Sequence, residues 1–428
     1  MSNQPYNNDH ENEVTETNDN YPQRKAPTKE ELDAIEYINP VTSKNKKKCI
    51  IKHKNKTIKS QEEIEKETSD FVFAQPVKVK KKSKVKKTLL VILIVLLSLI
   101  LLAGATILVL NIMGKKAMLN YNNMVITPSP QIEEISDIAD DGKTVTYKGK
   151  TYVFNEEIAT VVLMGIDKDD LGTTDNVVGT GGQADAIYIG IIDTKTQKVS
   201  ILSVSRDTMV DTNIYNTNGE FVKTENMQLC LSYAYGDGMH TSAQNTVNSL
   251  QRLFYGMQFN TYFALDYMGL QDLNDAVGGV TVTATADFYS YNQLRTIKKG
   301  ETVTLHGPDA EQYLRTRDLS ELASNTDRMD RQKQYITSFL SSVVPAAKKD
   351  ISVVTTLYDT VKENSTTNLN TTKVTYLATS ALSNIDSYKN INFYSVPGTV
   401  QKGEKYAEFY VDQTGLWELM LELFYIEQ

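Results

Sequence analysis

About 22 consecutive residues without a charge, LLVILIVLLSLILLAGATILVL from Leu89 to Leu110, limit what this chain can become more than any other feature. Roughly 20 apolar residues form a helix long enough to cross the ~30 Å hydrocarbon core of a bilayer. A cleaved signal peptide would have a shorter apolar region and would not stand behind some 87 mostly polar residues. We therefore expect a single transmembrane helix over 88–113. Lys78, Lys80, Lys81, Lys82, Lys84, Lys86 and Lys87 crowd its N-terminal flank, against Lys115 and Lys116 beyond it. Positive flanks stay inside, so residues 1–87 are expected in the cytoplasm and everything past about Gly114 outside the plasma membrane.

The two sides of this helix differ in kind. Residues 1 to about 70 are rich in Asn, Glu, Lys and Thr with no apolar periodicity, and read as a disordered tail. The basic stretch Lys78–Lys87 ends that tail as a topology signal beside the anionic inner leaflet. The net charge of -8 argues against a nucleic-acid partner. Cys49 and Cys230 fall on opposite sides of the membrane and cannot pair, and two of the four histidines lie in the tail. A disulfide framework and a His-rich zinc site are both disfavoured. Carboxylates and arginines are left to carry the chemistry.

Beyond the membrane, 114–156 reads as an extracellular spacer, with Pro128 and Pro130 interrupting any helix and VTYKGKTYVF folding as a short hairpin. The domain proper is expected over 157–428. TVVLMG (160–165), AIYIGII (186–192) and VSILSV (199–204) are strand-length apolar runs. Helical patterns follow over 230–254 and 267–277, the second stopped by Gly278 and Gly279 before the strand VTVTAT. Alternation of this kind, with hairpins mixed in, predicts an α/β/α domain around a mixed β-sheet.

Four of the chain's eight arginines, Arg315, Arg317, Arg328 and Arg331, lie within 17 residues of a sequence that otherwise carries about 37 lysines. Arginine offers a planar, permanently charged fork that grips oxyanions two oxygens at a time, so the switch points to a phosphate. Pro308 suits the first position of a helix, and extended chain after it would point Arg315 and Arg317 the same way. SNTD offers a cap for a helix beginning near Asp327, with Met329, Ile336, Leu340 and Val343 as its apolar face and Arg328, Arg331, Gln332 and Tyr335 as a polar stripe beside it. Arginines near a helix N-terminus oppose its dipole unless an anion sits there. Arg206 and Asp207 follow the strand VSILSV directly. Asp167 ends the first strand and Asp185 stands immediately before the second, positions suited to a hard cation such as Mg²⁺ but equally to turn formation. Asp169, Asp170 and Asp175 lie in the loop between them.

These blocks resemble the LytR-CpsA-Psr family of membrane-anchored cell-wall enzymes over about 160–340. VVLMGIDKDD, DAIYIGIIDTKTQKVSILSVSRDT, DLNDAVGGVTV, LHGPDAEQYLRTRD and DRMDRQKQ stand in the family's order. The resemblance implies a phosphotransferase that moves a glycopolymer, a wall teichoic acid or capsular polysaccharide, from a polyprenyl pyrophosphate carrier to peptidoglycan. Carried over by position, Arg206, Arg315, Arg317, Arg328, Arg331 and Gln332 would hold the pyrophosphate, with Arg206, Asp207, Arg315 and Arg317 at the reacting centre. Asp185 and Asp167 would hold Mg²⁺ or Mn²⁺, with Asp169 and Asp175 as alternative second ligands and Asp318 a further candidate. The proton acceptor is Asp207 or a metal-bound carboxylate. A pyrophosphatase and a non-catalytic envelope regulator are the competing readings. The family often shows Gly-Arg-Ser-Asp where this chain has Gly182, Gln183, Ala184 and Asp185, so one arginine of the pattern is absent.

Overall fold

The computed structural model describes residues 84–171, 177–316, 324–350, 352–383 and 391–428. The tail expected over 1–87 therefore lies outside the described residues except for its last four. The apolar run sits in a 35-residue helix, α1 (Lys84–Met118), longer at both ends than the expected 88–113. It is the one helix among the described residues long and apolar enough to cross a membrane, and its apolar window is unburied.

The far end of α1 is no spacer. Gly114 and Met118 are buried, and Tyr121, Met124, Ile126 and Ile132 join the main apolar core. The Tyr121 hydroxyl donates to the Ile158 carbonyl at 2.6 Å. The expected hairpin forms over Thr144–Tyr147 and Lys150–Phe154, turning on Lys148 and Gly149, both at positive φ as a two-residue hairpin turn requires. Its second strand pairs with Tyr425–Glu427, the last strand of the chain. The 114–156 segment is thus built into the domain, because it supplies apolar side chains that the sheet alone cannot cover.

The central sheet has six strands: β1 (Ile158–Ile166), β2 (Ala184–Asp193), β3 (Val199–Val204), β4 (Tyr262–Leu265), β5 (Ser365–Thr367) and β6 (Asn392–Ser395). Their order is β5-β4-β1-β2-β3-β6. The β4/β1 and β3/β6 pairs are parallel and the others antiparallel. Strand β1 is a continuous apolar run because both its faces are covered. Val162 and Met164 pack with α2 (His240–Leu253) and with α7 (Gln413–Phe424), through Val247, Leu250, Trp417 and Met420. Ala159 and Val161 on the reverse face pack with Met118 of α1 and Tyr376 of α6 (Thr371–Ser383). The predicted α/β/α arrangement is what forms. The helix expected over 230–254 is interrupted, however, by Gly236 and Gly238, leaving one turn at Leu231–Ala234 ahead of α2.

Three more helices carry the charged residues: α3 (Tyr267–Ala276), α4 (Pro308–Arg315) and α5 (Ser324–Lys349). They enclose a second apolar cluster with the antiparallel strand pair Val280–Thr283/Thr302–Leu305, through Val280, Val282, Leu305, Tyr313 and Tyr335. Pro308 does begin α4, and buried Asp309 beside it accepts from the Ser290 hydroxyl at 2.6 Å and the Tyr291 amide at 2.7 Å.

Helix α1 meets α6 so closely at Gly114 that a Cβ there would collide with the Thr372 carbonyl. Asn111 donates to the Thr379 hydroxyl along the same seam, and Lys115 pairs with Glu157 at 2.7 Å. Gly114→Leu should destabilise the detergent-solubilised chain by about 1–3 kcal/mol through overpacking. Gly104→Leu, where nothing lies within 4 Å, should leave the melting temperature unchanged. Thermal unfolding of both variants checks this.

Candidate active site

The site begins with a register shift. Gly165 faces Ala186, but the next residue, Ile166, faces Ala184, so Asp185 is an extra residue bulged out of β2 rather than one preceding the strand. In an unbroken register Asp167 would stand opposite Ala184, on the reverse face from Asp185. The bulge brings it opposite Gln183 instead. The Asp167 amide donates to the Gln183 carbonyl at 3.0 Å, and the Gln183 amide donates to Asp167 Oδ1. Burial pushes the Asp167 carboxyl above its usual range, opposed by that amide and reinforced by the nearby Asp185.

Strand β3 sets Val204 opposite Ile187, which brings Arg206 level with Asp185 two residues on. Arg206 donates through Nη1 to Asp185 Oδ1 and through Nη2 to Gln183 Oε1 at 2.9 Å, while its Nε lies 3.5 Å from Asp207 Oδ1. Gln183 stands where the family pattern often has arginine, and here it accepts from an arginine. Asp207 is buried, forms an ion pair with Arg206 and accepts a hydrogen bond from Gln228 Nε2 at 3.3 Å.

From a distant part of the chain, α5 supplies Arg328, whose Nη1 is 3.4 Å from Asp185 Oδ2 and whose Nη2 donates to the Asp185 carbonyl at 3.1 Å. One turn later Gln332 accepts from the Tyr188 hydroxyl of β2 at 2.8 Å. These contacts reverse the expected faces of the helix. Met329, Ile336, Leu340 and Val343 are only half-buried, whereas Arg328, Arg331 and Gln332 are 4, 3 and 8% exposed. The physical reason lies in β2, which offers a carboxylate and a phenol to the polar stripe. The helix also starts at Ser324, so SNTD lies inside it.

Arg331 and Arg315 are placed differently. The Nε of Arg331 donates to the Tyr313 carbonyl in the last turn of α4 at 3.2 Å, and its buried Nη2 has no hydrogen-bond partner. Burial pulls this guanidinium below its usual range. Such an arrangement satisfies a helix-end carbonyl and does not bring Arg331 to Asp185. Arg315 belongs to the last turn of α4, not to extended chain, because the helix begun by Pro308 runs through it. Its side chain is 54% exposed, lies with Cζ 4.2 Å from the Tyr267 ring centroid, and donates to Glu311 Oε1 at 2.5 Å. Arg317, Asp318 and Asp175 lie outside the described residues. Asp169 and Asp170 act on Asp266, and among the described residues Asp167 is the candidate second ligand near Asp185.

Sequence reading missed Tyr188 and Tyr267, and it marked Gln183 and Cys230 without giving either a partner. The Cys230 thiol is buried near Arg206 and pushed up to about 12, mainly by that burial. Tyr267 had one legible signal, its place directly after an aspartate at a strand-to-helix junction. Among the described residues no three His, Cys, Asp or Glu side chains gather as a metal site on their own. Cavities of about 370 and 150 Å³, lined around Ile126–Asp140 and around Tyr215 and Asp237, include neither the arginines of this site nor Asp167, Asp185 or Asp207.

The site thus belongs to a mixed-sheet α/β/α domain in which two arginines from distant segments converge on one bulged carboxylate. The chain belongs to the LytR_cpsA_psr family, which it matches over residues 126–423. It is 25% identical over 276 residues to an Enterococcus faecalis protein named polyisoprenyl-teichoic acid–peptidoglycan teichoic acid transferase TagU, covering 64% of this chain and 82% of that one. It is 26% identical over 259 residues to biofilm regulatory protein A of Streptococcus mutans, covering 59% and 60% respectively. A Streptococcus agalactiae crystal structure shares the fold at a TM-score of 0.51 and 23% identity, over 62% of this chain and 86% of that one.

The loop leaving Asp167 is held by Asp266, a buried N-cap of α3. Its Oδ1 accepts from the Gly269 amide at 2.8 Å and its Oδ2 from the Leu171 amide at 3.3 Å. Burial raises its carboxyl to about 6 against those hydrogen bonds, with Asp170 and Asp169 adding to the rise. The folded value exceeds the ~3.9 of an unfolded aspartate, so the folded state binds this proton more tightly. The Asp266 contribution should therefore be greatest below about pH 4 and lost as pH rises toward 6. Melting temperatures of the wild type and Asp266→Asn across pH 4–7 should differ by the loss of that component in the variant.

Proposed function

We propose that this chain transfers a glycopolymer from a polyprenyl pyrophosphate carrier to peptidoglycan, forming a phosphodiester. Membership of the family and the transferase names of relatives support the reaction class. The observation that carries it here is the convergence of Arg206 and Arg328, from segments over 120 residues apart in sequence, on Asp185. A pyrophosphate offers guanidinium groups the same paired oxygens that Asp185 offers them in its absence.

Phosphoryl transfer needs its charge neutralised and its nucleophile in line. A peptidoglycan sugar hydroxyl attacks the sugar-linked phosphorus, the new P–O bond forms, and polyprenyl phosphate leaves. Arg206, Arg328 and Arg315 stabilise the charge on the phosphate oxygens, and Arg317 belongs to the same group by resemblance. Asp207 is engaged with Arg206 Nε and Gln228, so it orients the arginine. Asp167, with its raised carboxyl, is the group we assign to accept the hydroxyl proton. Asp167 and Asp185 also suit a hard divalent cation, Mg²⁺ or Mn²⁺, which takes few carboxylates plus water and phosphate oxygens and would supply further neutralisation of the pyrophosphate. Helix α1 anchors the domain at the plasma membrane, and the lysines on its N-terminal flank put the domain on the outer side.

The test is to incubate the purified full chain in detergent with a synthetic polyprenyl-pyrophosphoryl sugar, a peptidoglycan oligomer and Mg²⁺. A joined product is expected, falling by roughly 10²- to 10³-fold in Arg206→Ala. Polyprenyl phosphate released without joined product would replace transfer with hydrolysis.

A further inference from the structure

We infer that Tyr267 is a positioning residue of this site, its ring holding the Arg315 guanidinium in place for the pyrophosphate; this rests on the proposed function. Tyr267 is the first residue of α3 and follows β4, the parallel neighbour of β1, with only Asp266 between. It therefore stands at the same end of the sheet as Asp167. Its backbone is pinned twice, by the Asp266 cap one residue earlier and by its own amide donating to the Lys168 carbonyl at 3.0 Å.

The ring lies 4.2 Å from Arg315 Cζ, well inside the ~6 Å reach of a cation–π contact. One turn along the same face of α3, Gln271 donates to Glu311 Oε2 at 2.7 Å. Glu311 in turn takes Arg315 Nη1 on its other oxygen. A face of α3 thus supports Arg315 from two sides: the ring beneath the guanidinium, and Gln271 through Glu311. Arg315 is more than half exposed, and a long exposed side chain without such support would lose rotamer freedom only on binding. The Tyr267 amide's bond to the carbonyl of Lys168, the residue after Asp167, sets the pair at the carboxylate end of the sheet, and the Asp185 charge acts on both groups. The ring is the part that touches Arg315, so phenylalanine should serve as well as tyrosine.

The full chain in detergent would be assayed as wild type, Tyr267→Phe, Tyr267→Leu, Arg315→Met and the Tyr267→Leu/Arg315→Met double variant. Transfer is followed by product, and binding of inorganic pyrophosphate is followed separately by calorimetry. Tyr267→Leu should lose roughly 3- to 30-fold in both readouts, and Tyr267→Phe should recover most of that loss. The double variant should be no worse than Arg315→Met alone, because the two residues act as one unit. Equal losses in the Phe and Leu variants, or multiplying losses in the double variant, would overturn the inference. Should Tyr267→Leu melt below the assay temperature, Tyr267→Met takes its place. If the wild type binds pyrophosphate with this variant pattern yet joins no polymer, the positioning role stands and the transfer reading falls. If it neither binds nor transfers, both fall.

Discussion

Everything at this site depends on one carboxylate. Asp185 holds Arg206 from the neighbouring strand and Arg328 from a helix 143 positions later in the chain. Burying a guanidinium is costly unless it is paired and hydrogen-bonded, and Arg328 is almost wholly buried. The bulge in β2 makes this pairing possible by freeing Asp185 from the ladder and bringing Asp167 round to the same neighbourhood. A regular strand would have divided the two carboxylates between opposite faces of the sheet.

That dependence runs outward into the fold. Helix α5 can lie over β2 with its arginines inward only because Asp185 and Tyr188 receive Arg328 and Gln332. Helix α4 is then tied to α5 through Arg331 and the Tyr313 carbonyl, and to α3 through Glu311 and Gln271. The arginines of this neighbourhood accordingly do different kinds of work. Arg206 and Arg328 pair with Asp185, and Arg315 pairs with Glu311 over the Tyr267 ring, whereas Arg331 joins two helices. Its place in the same short cluster gave no sign of that difference.

At the other end of the domain, α1 runs without a break from its apolar run into the core. Gly114 allows it to lie directly against α6, and the chain after it adds Tyr121, Met124, Ile126 and Ile132 to the main core before β1 begins. An apolar helix so attached holds the domain at a set distance from its own end, unlike a flexible tether.

The sequence by itself determined the elements whose signal is local: the apolar helix, the strands β1 to β3, the start of α4 at Pro308 and the hairpin turn at Lys148 and Gly149. It also marked the arginines and aspartates as the chemistry, since residue type is visible without structure. Only the tertiary structure decided which of them meet. The bulge at Asp185 depends on how two strands pair, and the buried face of α5 depends on what β2 offers it. The residues 114–156 read as a spacer because Pro128 and Pro130 interrupt any helix, yet their scattered apolar side chains are claimed by a sheet formed elsewhere in the chain. Periodicity reports where a segment could bury a face; which neighbour covers that face, and whether it is apolar or a carboxylate, is a property of the packed whole.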